Sequence, residues 1–259
     1  MKNMEADNLN EKLRQLYIDK LSAGNPCLLQ VLREQRRNTD KTTQPAYPLL
    51  IKINETNYRN ADLKIMVFGQ ETNGWETKVS DIEIPLQESI YHVDETVETF
   101  INAYDHFFNR RDLKSPFWNA FKNIRKLTRD MKCEIVWNNV YKIGNRGRNL
   151  NRPHEKIRQI ENDYFDVIQE EISILKPDVI LFLTGPNYEA RVDKKFGIIG
   201  YQSISNNETN KLARISIATE ILAYRTYHPN YLQLHNLLKD YLKLIVTDIK
   251  KESIEERLS

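Results

Sequence analysis

The sequence predicts an α/β protein with an open, mainly parallel four-stranded sheet, helices on both faces and an N-terminal helical extension. Two observations carry this. Leu63–Phe68, Glu134–Asn138 and Asp178–Leu183 are nearly continuous apolar runs, as parallel strands covered on both faces require, and Ile221–Tyr227 adds a fourth strand. Helical apolar patterns alternate with these strands, most clearly at Phe117–Met131 and Ile157–Leu175, with Tyr231–Lys251 after the last.

The elements follow in order. Leu9, Leu13, Leu16, Tyr17 and Leu21 recur at helical spacing over residues 8–23 and stop at Gly24-Asn25-Pro26. A second short helix fits residues 27–36. Asn38–Pro48 is polar, holds two prolines and reads as a linker. The expected division is therefore an extension with linker over 1–48 and an α/β domain over 49–259. Leu212–Ala218 reads as a short extra strand paired with Ile221–Tyr227. Residues 76–110 are acidic and aromatic and fit no clear pattern.

Composition narrows the function. The chain has 259 residues, with Lys+Arg 38 against Asp+Glu 36, so a polybasic surface is excluded and any anion site is a local patch. Its two cysteines, Cys27 and Cys133, are too few for a disulfide scaffold or a four-Cys metal or iron–sulfur site. No apolar run approaches the ~18 residues of a membrane span, and the first residues lack the apolar core of a signal peptide. A soluble cytoplasmic protein is expected. No phosphate-binding glycine loop supports a nucleotide cofactor, and the zinc-deaminase pattern is missing.

In open α/β sheets, ligands sit beyond the carboxyl ends of the strands, so the residues there matter most. Gln70, Glu71, Thr72, Asn73, Gly74 and Trp75 follow the first strand. Glu71 can stabilise a cation or orient water, although an acid in this place also suits a helix start. Asn138 and Asn139 end the second strand; an Asn there presents a donor and an acceptor to a base edge, or satisfies nearby backbone. Thr184-Gly185-Pro186-Asn187 follows the third strand. His228 follows the fourth and is held extended by Pro229, placed either to donate to a developing oxyanion or to pack at the strand end. His92, His106, His154 and His235 lack such a setting. After Asn139 comes a basic run of Lys142, Arg146, Arg148, Arg152, Lys156 and Arg158 with Gly144 and Gly147, suited to phosphate contact unless it is only a solvated charged stretch.

Taken in order, VFGQETNGW, WNNVYK, KPDVILFLTG and RTYHPNYL resemble the four motifs of the uracil-DNA glycosylase superfamily over about residues 63–245. The resemblance implies that fold and a cofactor-free, base-excising hydrolase of DNA repair that acts as a monomer on DNA. It places Gln70 where a backbone group holds the pyrimidine, Glu71 on the water-activating acid, and Asn139 on the uracil-reading Asn, with Asn138 as the other register. His228 falls on the His bonding the base O2, and Leu232 on the Leu that wedges into the duplex. Phe117 and Trp75 are candidates for the ring that stacks on the base, and Arg146, Arg148 and Arg152 for phosphate contacts. The sequence departs from the family at Glu71, Thr72, Asn73, Asn230 and Tyr231. The rival expectation is a nucleic-acid-binding member of the same fold with little or no turnover.

Overall fold

Leu63–Gly69 is apolar because both of its faces are covered, and it lies inside the sheet. The computed structural model describes residues 8–72, 92–110, 112–147, 152–219 and 221–258, with side chains as far as Glu252. In chain order the elements are α1 (Leu9–Ser22), α2 (Leu28–Arg36), α3 (Glu55–Arg59), β1 (Leu63–Gly69), α4 (Val93–Phe108), α5 (Pro116–Leu127), β2 (Cys133–Asn139), α6 (Glu155–Tyr164), α7 (Ile168–Leu175), β3 (Val179–Phe182), α8 (Glu189–Phe196), β4 (Ile198–Ser203), β5 (Leu212–Ile217), β6 (Leu222–Thr226), α9 (Pro229–Leu234) and α10 (Leu238–Leu258).

The expected four-stranded sheet is in fact a six-stranded mixed sheet in the order β2-β1-β3-β6-β5-β4. β1, β3 and β6 are parallel, with Phe68 opposite Phe182 and Phe182 opposite Arg225. The Leu63 N–H donates to the Lys132 carbonyl at the start of β2, and the Tyr141 N–H donates to the Gln70 carbonyl just past both strands. β2 therefore runs alongside β1 in the same direction. β5 pairs antiparallel with β6, as expected of Leu212–Ala218, and β4 pairs antiparallel with β5. No apolar run announces β4, because it is an edge strand: Ile199, Tyr201, Gln202 and Ser203 are all exposed.

Two long expected helices are each divided. Ile157–Leu175 forms α6 and α7, broken where Phe165 leaves helical geometry at φ −136° and where Phe165 and Val167 turn into the core. Tyr231–Lys251 forms α9 and α10, separated at Asn236, whose φ of 56° is left-handed, a conformation that Asn tolerates better than most residues.

The chain divides into two compact units, one from residues 1–55, 70–110 and 138–175, the other from 56–69, 111–137 and 176–259. In the first, α1 packs on α2, α4 and α7 through Leu13, Tyr17 and Leu21. The Glu55 carboxylate accepts from the Leu9 N–H at 2.9 Å and the Asn10 N–H at 3.4 Å, which satisfies two otherwise bare donors of α1. The 44–49 stretch is tied to the chain after β2, with Ala46 and Leu49 N–H groups donating to the Gly144 and Lys142 carbonyls. The second unit holds the sheet. Phe68, Phe182 and Phe196 meet there at 4.8–5.3 Å between ring centres, each worth about 1.5–3 kcal/mol on full burial. Ser115 caps α5, with Pro116 at the first helical position, and α5 packs against α9 and α10.

Candidate functional site

In the second unit, β6 ends at Thr226, and Pro229 begins α9 with its ring-fixed backbone. His228 between them is the N-cap, with φ −56° and ψ 139°, and its Nδ1 accepts the Asn230 N–H at 3.2 Å. An accepting Nδ1 carries no proton, so the neutral ring bears its proton on Nε2. Burial pushes the His228 imidazole down to about 4 from its ordinary 6.5, which keeps it neutral at pH 7. The Phe117 ring lies nearly parallel to it, at 11° and 6.4 Å between centres. Gly185, at φ +74°, allows the loop after β3 to approach, since a Cβ there would lie 3.3 Å from the His228 backbone nitrogen. His154 caps α6 in the same way, accepting the Lys156 N–H at 3.2 Å. The partly buried, ring-stacked setting therefore distinguishes His228 more than its capping bond does.

Leu232, expected as the duplex wedge, is corrected. Its relative exposure is 0%, because it sits on the inward side of α9, whereas Leu234 is 73% and Tyr231 38% exposed. The exposed apolar groups of this helix lie elsewhere on its surface.

In the first unit, Gln70 and Glu71 are half-buried and directly follow β1. The Tyr141 N–H bond to the Gln70 carbonyl, 3.0 Å, ties this segment to the chain after β2. Gly144 completes the contact: a Cβ there would stand 2.5 Å from the Thr72 carbonyl oxygen and 2.8 Å from its hydroxyl. Gly144 therefore serves close packing. Gly144→Ala is expected to cost about 1–3 kcal/mol, the usual range for overpacking, read as a lower thermal midpoint. An unchanged midpoint would mean that the Glu71 segment is not held here.

Both asparagines are buried, at 0% and 1% relative exposure for Asn138 and Asn139. Asn138 is wholly buried: its Nδ2 donates to Glu171 Oε2 at 2.8 Å, and its Oδ1 accepts from Lys142 Nζ at 2.9 Å and from the Asn139 N–H at 2.8 Å. Its amide is committed to the interior, which corrects the register that made it a base reader. Lys142 Nζ also donates to Glu171 Oε1 at 2.7 Å, and the Tyr17 hydroxyl donates to the same oxygen at 2.7 Å while accepting from the Ile51 N–H at 3.0 Å. Burial pulls the Lys142 ammonium below its usual range against the opposing pull of Glu171 and Glu161. Burial and Glu171 push the Tyr17 phenol well up. Nearby, Glu161 Oε2 accepts the Ile143 N–H at 2.8 Å.

Lys142 is thus removed from the phosphate-contacting run, since it is fully buried and ion-paired. Arg146, Arg152 and Lys156 are exposed, Arg158 is half-buried, and Arg148 lies outside the described residues. Asn73, Gly74 and Trp75 lie outside them as well. Asn145 gathers the ends of this loop: its Nδ2 donates to the Arg152 carbonyl at 3.1 Å, and its Oδ1 accepts the His154 N–H at 3.2 Å. If Arg146 and Arg152 touch phosphates, replacing both by Ala flattens the salt dependence of DNA binding by up to about 2 units of log–log slope, near 0.9 per contact. An unchanged slope removes both from phosphate contact.

The structure thus joins the Gln70–Thr72 segment to the 138–145 segment in the first unit, and Phe117 to His228 in the second. The buried partners Tyr17, Glu161 and Glu171 were not legible as site-supporting groups in sequence. Only the setting of Glu171 among Ile168, Ile172 and Leu175 hinted at burial. Among the described residues, no three His, Cys, Asp or Glu side chains gather as a metal site. The chain matches no protein-family model and no curated protein.

Proposed function

We propose that this protein hydrolyses the N-glycosidic bond of uracil, or of a related deaminated base, in DNA. The observation that supports it most is His228, held neutral by burial with its proton on Nε2. Such a ring is a poor base at pH 7 but a good donor to an oxygen that gains negative charge. In this reaction the bond from sugar C1′ to the base breaks, and its electron pair leaves with the base. Charge then grows on the base oxygens while the sugar becomes cation-like. In this reading His228 donates to the pyrimidine O2. The Glu71 carboxylate stabilises the sugar cation and takes the proton of the water that adds to C1′. The Asn139 amide reads the base edge with one donor and one acceptor. The Phe117 ring offers a flat apolar face beside the imidazole, and Arg146 and Arg152 hold phosphates.

The test is incubation with an oligonucleotide carrying one uracil, followed by hot alkali, which breaks the strand at an abasic site. Breakage at the uracil and none in a thymine control is expected. An intact strand overturns the reading, and binding without breakage would assign the chain to a non-catalytic nucleic-acid-binding role.

A further inference from the structure

Past His228, three rings form a ladder. Tyr227 stacks on Tyr231 at 4.3 Å and 23°, and Tyr231 meets His235 at 4.2 Å and 39°. The spacing of four residues brings the rings to one side of α9, one above another. Leu232 on the other side is buried, so the ladder is the outward side of this helix. Tyr231, in the middle, has a ring neighbour in Tyr227 and another in His235 and is 38% exposed, while His235 at the end is exposed. His235 is the last ring of the ladder and is exposed, so a further ring would be added there.

The charge around the ladder suits a polyanion. From Ile221 through Lys239 the chain has no acidic residue. The segment before β5 runs beside it, with the Lys211 carbonyl accepting from the Thr226 hydroxyl at 2.9 Å. That contact brings the Lys211 ammonium within electrostatic range of Tyr231 and Tyr241. Lys211 is held by Glu208 at 2.6 Å on the surface, a pair that a phosphate can replace at little cost. Stacked rings with an interleaved cation are how proteins hold unpaired bases.

We propose that the Tyr227–Tyr231–His235 ladder is a stacking platform for unpaired bases of single-stranded DNA, with Lys211 facing the strand's phosphates. A base added beyond His235 continues the ladder as a further ring. The choice of DNA rests on the glycosylase reading; the platform itself rests on the ladder. It makes the substrate class single-stranded or locally unpaired DNA.

The test is direct binding, at low salt, of a labelled uracil-free oligothymidylate of about twelve nucleotides, within the usual site size of such surfaces, and of a duplex of equal length. The wild-type chain is expected to bind the single strand more tightly. His235→Ala is expected to weaken that binding about tenfold, the loss typical of one stacked base, while His235→Phe restores it. Equal binding by wild type and His235→Ala overturns the proposal, as does duplex affinity equal to single-strand affinity or no binding at all. Self-association that His235→Ala abolishes would give the ladder to a second copy of the chain and also overturn it. Uracil release with DNA binding insensitive to His235 removes the platform and keeps the glycosylase. Sensitive binding without uracil release does the reverse.

Discussion

His228→Ala is expected to lower kcat on uracil-containing DNA by ~100-fold or more, as loss of one donor to a developing oxyanion does, with little change in DNA affinity. In the proposed reaction the donor acts on charge that is small in the bound substrate and large in the transition state, so the effect falls on kcat. The ring also caps α9, and losing a cap costs about 0.5–2 kcal/mol. His228→Asn separates the two roles: Asn is a good N-cap but is too short to present a donor where Nε2 stands. Slow turnover with a wild-type unfolding midpoint in His228→Asn identifies the donor; normal turnover removes His228 from the mechanism. The pH dependence follows from burial. Folded His228 titrates near 4, below its ordinary 6.5. Above 6.5 both folded and unfolded states hold it neutral, and its contribution to stability is complete. As pH falls below 6.5 the unfolded chain takes up the proton first, so that contribution is lost progressively until the folded ring also protonates near 4. The rate carried by His228 should therefore be level from neutral pH down to about 5, where the folded ring stays neutral.

The strands that sequence reveals best are those covered on both faces. β1 and β3 are almost entirely buried, and continuous apolar runs are the only way to make them. β4 is hidden because an edge strand with one neighbour and exposed side chains has no apolar pattern to show. The breaks in the long helices are hidden for the opposite reason. Phe165 and Val167 are as apolar as helix-face residues, and only the core they enter makes them leave the helix. At the site, Pro229 makes the backbone of His228 legible, since X-Pro excludes helix at X. Side-chain surroundings are less accessible. Lys142 looks like the first of six basic residues, and only its burial with Glu171, brought from a distant helix, shows that it belongs to the interior. Leu232 looks like a wedge by order of residues, but the turn of α9 puts it on the inward side and Leu234 outside.

Lys142→Met is expected to destabilise the protein by about 3–5 kcal/mol, the range for breaking a buried ion pair from one side. Lys142 and Glu171 are both wholly buried, 2.7 Å apart. With the ammonium gone, Glu171 keeps only the Tyr17 hydroxyl and the Asn138 amide as described donors, and neither carries charge. The loss is therefore mostly that of a buried carboxylate without a counter-charge. Adding Glu171→Gln removes that charge while keeping an acceptor for Tyr17, so the double variant should be more stable than Lys142→Met alone. Urea unfolding of wild type, both single variants and the double variant measures the coupling directly. A double variant no more stable than Lys142→Met would show that the pair is not what holds this part of the fold. The same cluster reaches Asn139, the proposed base reader, through one atom. Asn138 Oδ1 accepts from both Lys142 and the Asn139 N–H, so losing the lysine removes one of the bonds that hold the amide on which Asn139 begins. Folded Lys142→Met, held well below its unfolding midpoint, should therefore discriminate uracil from cytosine less well than wild type. Unchanged discrimination would confine the lysine to stability.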